Sequence, residues 1–196
     1  MDLGTTLYAI TNSQLSGNET EQDWQQLLKK LQALDLPRAE TWQYGNTYKE
    51  DEGEWEYELN PFGADDTFGC AVCFNGPFKF MIYLYPNAAV ISTIHRYWIL
   101  QKIELIWDEW FADFRKDLYS VVQALGGTEV IYLPDNNRQP LCSYLDMIED
   151  GVAYLEVKQQ LIKDLEPPVT DYMKFGAAAK EQERFMLDDF ADLIGK

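Results

Sequence analysis

The sequence has few histidines, cysteines and basic residues. Its 196 residues include one His, three Cys, and 16 Lys and Arg against 33 Asp and Glu, which leaves a net charge of −17. Such an acidic excess argues against binding to DNA, RNA or an anionic membrane surface, because each of these would repel the protein. A single histidine excludes metal centres built from several histidines and leaves few acid–base designs. The excess of acidic over basic residues therefore predicts no nucleic-acid partner and no membrane association.

Long apolar runs are also missing. The most apolar segment, residues 81–94, is interrupted by Pro86 and Asn87 and is too short to cross a bilayer as a helix. Asp2 stands where a signal peptide would carry basic residues. A small, odd number of cysteines is typical of free thiols in a reducing compartment. The sequence therefore predicts a cytoplasmic location.

No motif of a known catalytic or metal site is present. The nucleophile elbow, the phosphate-binding glycine loop, the dinucleotide fingerprint and the HExxH signature are all absent. Cys70 and Cys73 have the spacing of a zinc knuckle, and Cys142 and His95 would complete a Cys3His set. On a strand, however, residues three apart face opposite sides, so we expect the first two cysteines to diverge and to be small core residues. We predict no metal and no cofactor.

The hydrophobic periodicity predicts an α+β fold. The expected architecture is an antiparallel or mixed meander sheet of about five to six strands packed against helices, with a C-terminal helical segment. Residues 1–170 would form one domain, and residues 171–196 a helical arm packed on it. Strands are predicted at residues 3–10, in a hairpin over 40–59, and at 68–74, 78–85, 90–97 and 129–133. Helices are predicted from residue 20 and at residues 103–125, 141–150, 152–165 and 177–194.

The negative charge is concentrated in the predicted hairpin. Residues 40–66 contain nine acidic residues and one basic residue. Glu54, Glu56 and Glu58 alternate with apolar residues, so they share one face of the second strand. One interpretation is a solvated outer face that discourages pairing at the edge of the sheet. The other is an anionic surface that receives a basic partner.

The second interpretation leads to a functional hypothesis. The carboxylates that would meet the Lys and Arg of a partner are those of Glu50, Asp51, Glu52, Glu54, Glu56 and Glu58, with Trp42 or Trp55 as anchors if exposed. A small, acidic, Trp-rich α+β protein is similar in composition to bacterial immunity proteins, which neutralise nuclease-type toxins. The resemblance implies a non-enzymatic module that occludes a basic partner. The oligomeric state stays open.

Two alternatives use other parts of the chain. One is a small-molecule-binding protein or enzyme with a pocket between the aromatic sheet and the long helix. Its polar contacts would be Tyr83, His95, Arg96 and Asp135, and it requires a concave cavity where these groups converge. The other is a scaffold or regulatory subunit whose last predicted helix docks on a partner. Without a catalytic constellation, the sequence favours protein binding over catalysis.

Overall fold

The computed structural model describes residues 6–36, 54–61, 69–77, 80–93, 107–135, 142–165, 167–175 and 184–194. The strands in this part of the chain are β1 (Thr6–Asn12), β2 (Glu56–Leu59), β3 (Val72–Asn75), β4 (Phe80–Tyr85), β5 (Ala88–Thr93), β6 (Val130–Asp135) and β7 (Met186–Asp188). In the same described residues, the helices longer than one turn are α1 (Glu21–Gln32), α2 (Trp107–Ala124), α3 (Cys142–Glu149) and α4 (Tyr154–Asp164). None of these described helices has the length and apolar composition needed to cross a bilayer.

The described strands form one antiparallel sheet in the order β2-β3-β4-β5-β1-β6-β7. Strands β2 to β5 are neighbours in sequence order, which confirms the predicted meander. The predicted possibility of a parallel neighbour for residues 129–133 is not realised. Strands β5 and β6 both run antiparallel to β1, so they point the same way, but β1 lies between them. The long helix α2 therefore connects two parallel strands that never pair.

Helices cover both faces of the sheet. On one face, buried side chains of α1 and α2 pack on Phe80, Ile82 and Leu84; on the other, α3 and α4 pack mainly on the central strands. Along β4, Phe80, Ile82 and Leu84 alternate in the sequence with Met81, Tyr83 and Tyr85, and the two sets face opposite sides of the sheet, since Tyr83 and Tyr85 pack with the second helical layer. Both faces of β4 carry apolar side chains because helices bury part of each face of the sheet.

Capping residues and glycines mark the ends of the helices. The Thr20 Oγ1 atom accepts a hydrogen bond from the Asp23 amide at 3.3 Å, and the Asp23 carboxylate accepts one from the Thr20 amide at 2.9 Å. This capping box satisfies two amide groups at the start of α1. Gly126 follows α2 and Gly151 separates α3 from α4, with φ of 74° and 82°. Glycine adopts this left-handed conformation without a steric penalty from a Cβ atom.

The C-terminal helix predicted over residues 177–194 is wrong where the structure describes it. Residues 184–194 contain the strand β7 and a following turn, and β7 pairs with β6 from Val130 to Tyr132. Met186 and Phe190 are buried at a spacing of four residues, which imitates a helical stripe. Pairing with the edge of β6 outweighs this local pattern, since it satisfies backbone groups that the edge strand would otherwise leave open. The segment is thus the seventh strand of the sheet.

Candidate partner-binding surface

Strand β2 lies at one edge of the described sheet; it carries Glu56 and Glu58, and Glu54 precedes it. Glu54, Glu56 and Glu58 are exposed, and no ion pair joins any of them to another residue in the described part of the chain. The predicted hairpin is only partly described, because its first strand lies outside the described residues. What is described is the pairing of β2 with β3, from Glu56 opposite Asn75 to Leu59 opposite Val72.

Trp55 is not an exposed anchor. Its side chain is only 6% exposed and stacks on Phe80, with ring centroids 6.4 Å apart and ring planes 4° from parallel. A Cβ atom added at Gly76 would clash with this indole, so the ring occupies space that only glycine leaves open. A contact role for Trp55 requires an exposed side chain, and this requirement is not met. Trp55 belongs to the core.

Several other predicted contact residues lie outside the described residues: Trp42, Glu50, Asp51, Glu52, His95 and Arg96. Asp135 is the last residue of β6, and its backbone lies opposite Thr6 of β1. Tyr83 lies in the middle of β4. The structure thus brings together none of the four residues of the predicted pocket within its described part.

The described interface between the sheet and α2 is filled by side chains. Phe80 stacks on Phe114 with ring centroids 5.9 Å apart, and Phe111 packs edge-on against Tyr132 at 5.2 Å. Tyr83 points to the opposite face of the sheet, towards the layer of α3 and α4. Tyr83 therefore does not line a pocket beneath the long helix, contrary to the sequence prediction.

The strand register places a mixed group of side chains beside the exposed glutamates. Glu58 lies opposite Cys73, which lies opposite Tyr83; in the next row, Glu56 lies opposite Asn75 and Asn75 opposite Met81. Residues directly opposite each other share a face of the sheet. We define the β2–β4 face as the five of these residues that solvent reaches: Glu56, Glu58, Asn75, Met81 and Tyr83. The Tyr83 hydroxyl donates to the Met81 sulfur at 3.7 Å.

Sequence reasoning missed this grouping although part of its signal was present. The alternation in β4 places Met81 and Tyr83 on one face, and the alternation in β2 does the same for its glutamates. The pairing of each strand with β3 sets which of these residues become neighbours. That register is a tertiary property, and a shift by one residue would have put the two groups on opposite faces.

Cys70 and Cys73 are free, buried thiols, as predicted, but they do not diverge. Cys70 packs in the core cluster beneath α3 and α4, and Cys73 lies opposite Tyr83 on that same side. The alternation argument fails because β3 begins only at Val72, so Cys70 precedes the strand. Burial raises the pKa of Cys70 to about 11 and that of Cys73 to about 12. Among the described residues, no three His, Cys, Asp or Glu are placed to hold a metal ion.

A buried ion pair joins β7 to helix α2, and no local pattern in the sequence indicates it. The Nε and Nη2 atoms of Arg115 donate to the two carboxylate oxygens of Asp188 at 2.6 and 2.8 Å. Arg115 is 4% exposed and Asp188 7%. The Tyr132 hydroxyl and the Phe190 amide also donate to this carboxylate, at 3.3 and 3.0 Å. Asp188 therefore accepts four hydrogen bonds.

The surroundings of Arg115 indicate a structural role. Its guanidinium also donates to Asp192 at 2.9 Å and lies 4.3 Å from the centre of the Tyr172 ring. Burial alone would lower the pKa of Arg115, but its hydrogen bonds to Asp188 and Asp192 outweigh this and raise the pKa above its ordinary value. A guanidinium with carboxylate partners and an aromatic face has its donors and its charge satisfied. We therefore assign this cluster to stability.

Comparisons with known proteins do not assign a family. No protein-family model, no curated protein sequence and no solved structure matches the chain.

Proposed function

We propose that this protein is a non-enzymatic binding module that occludes a basic partner protein, in the manner of bacterial immunity proteins acting on nuclease-type toxins. The observation that supports it most directly is the row of exposed carboxylates at Glu54, Glu56 and Glu58, which lack ion pairs among the described residues. The free thiols Cys70 and Cys73 support the accompanying proposal of a cytoplasmic location.

Electrostatics gives this row a preference for cations. Alternate residues of a strand are about 7 Å apart, so the three carboxylates repel one another at a distance shorter than the Debye length of physiological salt. A cationic partner relieves that repulsion on binding, and the net charge of −17 attracts such a partner from a longer range. The ion pairs of the described residues use Arg115, Lys116, Lys158 and Lys174 at other sites, so none of these four cations compensates the row.

The small free energy of exposed ion pairs limits how much the three carboxylates contribute to affinity. An exposed ion pair contributes about 0.2–1 kcal/mol, so three of them give at most about 3 kcal/mol. That is enough to steer encounter and to choose a partner, while most of the affinity would come from apolar contacts at the centre of the interface. Blockade would then be steric, with charge setting the rate and the specificity.

The test is affinity capture from a lysate of the source organism at low salt, followed by washing with rising salt. We expect a basic protein to bind the wild type, to elute as salt rises, and to be lost with the variant E54Q/E56Q/E58Q. The control E21Q/D35N/E156Q removes three other exposed carboxylates and has the same net charge. Salt-independent capture, or equal loss with both triple variants, would refute the proposal.

A further inference from the structure

The β2–β4 face offers a partner more than carboxylates. Glu56 and Glu58 are exposed at its outer strand, while Met81 and Tyr83 are half-buried two strands further in. Neighbouring strands are about 4.8 Å apart, so Tyr83 and Glu58 lie roughly 10 Å apart across the sheet, with Cys73 between them. An aromatic ring and a thioether thus share this side of the sheet with two anions. Glu56, Asn75 and Met81 form an accessible row, whereas the buried thiol of Cys73 separates Glu58 from the ring.

The helices of this layer pack mainly elsewhere. Buried residues of α3 and α4 share a core cluster with Ile10, Val90 and Ile131 on the central strands β1, β5 and β6, and the half-buried Tyr83 packs against this cluster. Towards β2 the same face becomes more accessible, because Asn75, Met81 and the glutamates reach solvent. The accessible part of the face is therefore its acidic end.

The three strands that form this surface supply no cation of their own. Strands β2, β3 and β4 contain neither Lys nor Arg, and their only charged residues are Glu56 and Glu58. A ligand that complements the face must therefore bring positive charge together with a flat, weakly hydrated group that packs on the ring of Tyr83. The guanidinium of arginine has both properties, whereas the ammonium of lysine is compact and strongly hydrated.

We propose that the β2–β4 face is an arginine-binding surface, on which guanidinium groups of the basic partner stack on Tyr83 and Met81 and pair with Glu56 and Glu58. The inference rests on the proposed function and adds the location and the side-chain chemistry of the contact. Stacking on the ring provides the preference for arginine, and the glutamates provide charge attraction that any cation shares.

The test measures binding of fluorescein-labelled octa-arginine and octa-lysine, which have the same charge, to the full chain by fluorescence anisotropy at low salt. We expect octa-arginine to bind about threefold more tightly than octa-lysine, because one exposed cation–π contact changes a dissociation constant by about that factor. Tyr83→Leu should abolish this ratio, and Tyr83→Phe should keep it because the ring face remains. E56Q/E58Q should weaken both peptides by about fivefold, as expected for two exposed ion pairs.

A charge-matched control separates this surface from the general field of an acidic protein. The variant E21Q/E156Q has the same net charge as E56Q/E58Q and changes residues on α1 and α4. It should weaken both peptides less than E56Q/E58Q does. Amide chemical shifts of the ¹⁵N-labelled wild type, titrated with octa-arginine, give a readout that needs no variant to fold. The largest shifts should fall in β2 and β4.

The outcomes distinguish this inference from the proposed function. Equal affinities for the two peptides, or shifts confined to other elements, would overturn the arginine-binding surface. Capture of a basic partner that depends on the glutamates but is indifferent to Tyr83→Leu would overturn it too, while leaving the proposed function standing. Failure of salt-sensitive capture refutes the proposed function, whatever the peptides do.

Discussion

Replacing Asp188 by Asn should destabilise the protein far more than the same change at Asp192. Both carboxylates accept hydrogen bonds from Arg115, but the Asp188 side chain is 5% exposed and the Asp192 side chain 50%. The amide group of Asn would direct N–H groups at the donors that the Asp188 carboxylate now accepts. The buried guanidinium would then lack its main counter-charge, while water can replace the carboxylate of Asp192.

The burial of each ion pair sets how much stability is lost when the pair is broken. Breaking a buried ion pair by removing one partner costs about 3–5 kcal/mol, because an uncompensated charge stays in the interior. Removing a half-exposed partner costs about 1 kcal/mol or less. For a chain of this size, the Asp188→Asn change should lower the melting temperature by about 10 °C and the Asp192→Asn change by about 3 °C.

Urea unfolding, followed by far-UV circular dichroism, measures both free energies under one condition. A third variant, R115M/D188L, replaces both charges by apolar side chains and should recover much of the stability lost with Asp188→Asn, since no charge is then left unpaired. Equal destabilisation by Asp188→Asn and Asp192→Asn would refute the reasoning. So would a double variant that is less stable than Asp188→Asn alone.

Two further predictions concern titratable groups whose pKa is raised by partial or full burial. Burial, with charge repulsion from Asp146 and Asp150, raises the pKa of Glu149, so the ionised group destabilises the folded state at neutral pH. Glu149→Gln should therefore raise the urea midpoint at neutral pH, and the difference from wild type should shrink as acidification protonates the wild-type carboxyl; a gain that persists in acid would contradict this. In a Cys142→Ser background, the two remaining thiols should react with Ellman's reagent at mildly alkaline pH only after unfolding, because burial raises the pKa of Cys70 to about 11 and that of Cys73 to about 12. Rapid labelling of the native protein would show that the thiolates form readily.

The elements that the sequence predicted well are those whose signals lie close together in the chain. The capping box of α1 joins residues three apart, and the stop after α2 depends on one glycine in a left-handed conformation. The alternation in β4 correctly assigned its side chains to two faces because the period of a strand is fixed by its backbone. Each of these signals acts within a few residues and needs no knowledge of the partner strands.

The features that the sequence did not reveal depend on pairings across long separations. Arg115 and Asp188 are 73 positions apart, so nothing in either local segment marks them as partners. The same holds for the β2–β4 face, where β3 brings glutamates of one strand beside Met81 and Tyr83 of another. The mistaken C-terminal helix has the same origin, since the apolar spacing of Met186 and Phe190 fits a helix as well as it fits a strand followed by a turn.

The C-terminal strand shows how one long-range contact selects between two such local structures. As a helix, residues 186–188 would satisfy their own backbone, but β6 would lose its antiparallel partner on the edge away from β1, and Arg115 would lose the carboxylate of Asp188. As a strand, the segment supplies the pairing partner of β6 and the carboxylate that binds Arg115. The backbone amide of Phe190 donates to the same carboxylate. A buried guanidinium without a counter-charge costs several kcal/mol, more than the helix propensity of three residues can return. The ion pair and the strand therefore stabilise each other, and an effect of Asp188→Asn on the pairing of β7 with β6 follows from the same geometry.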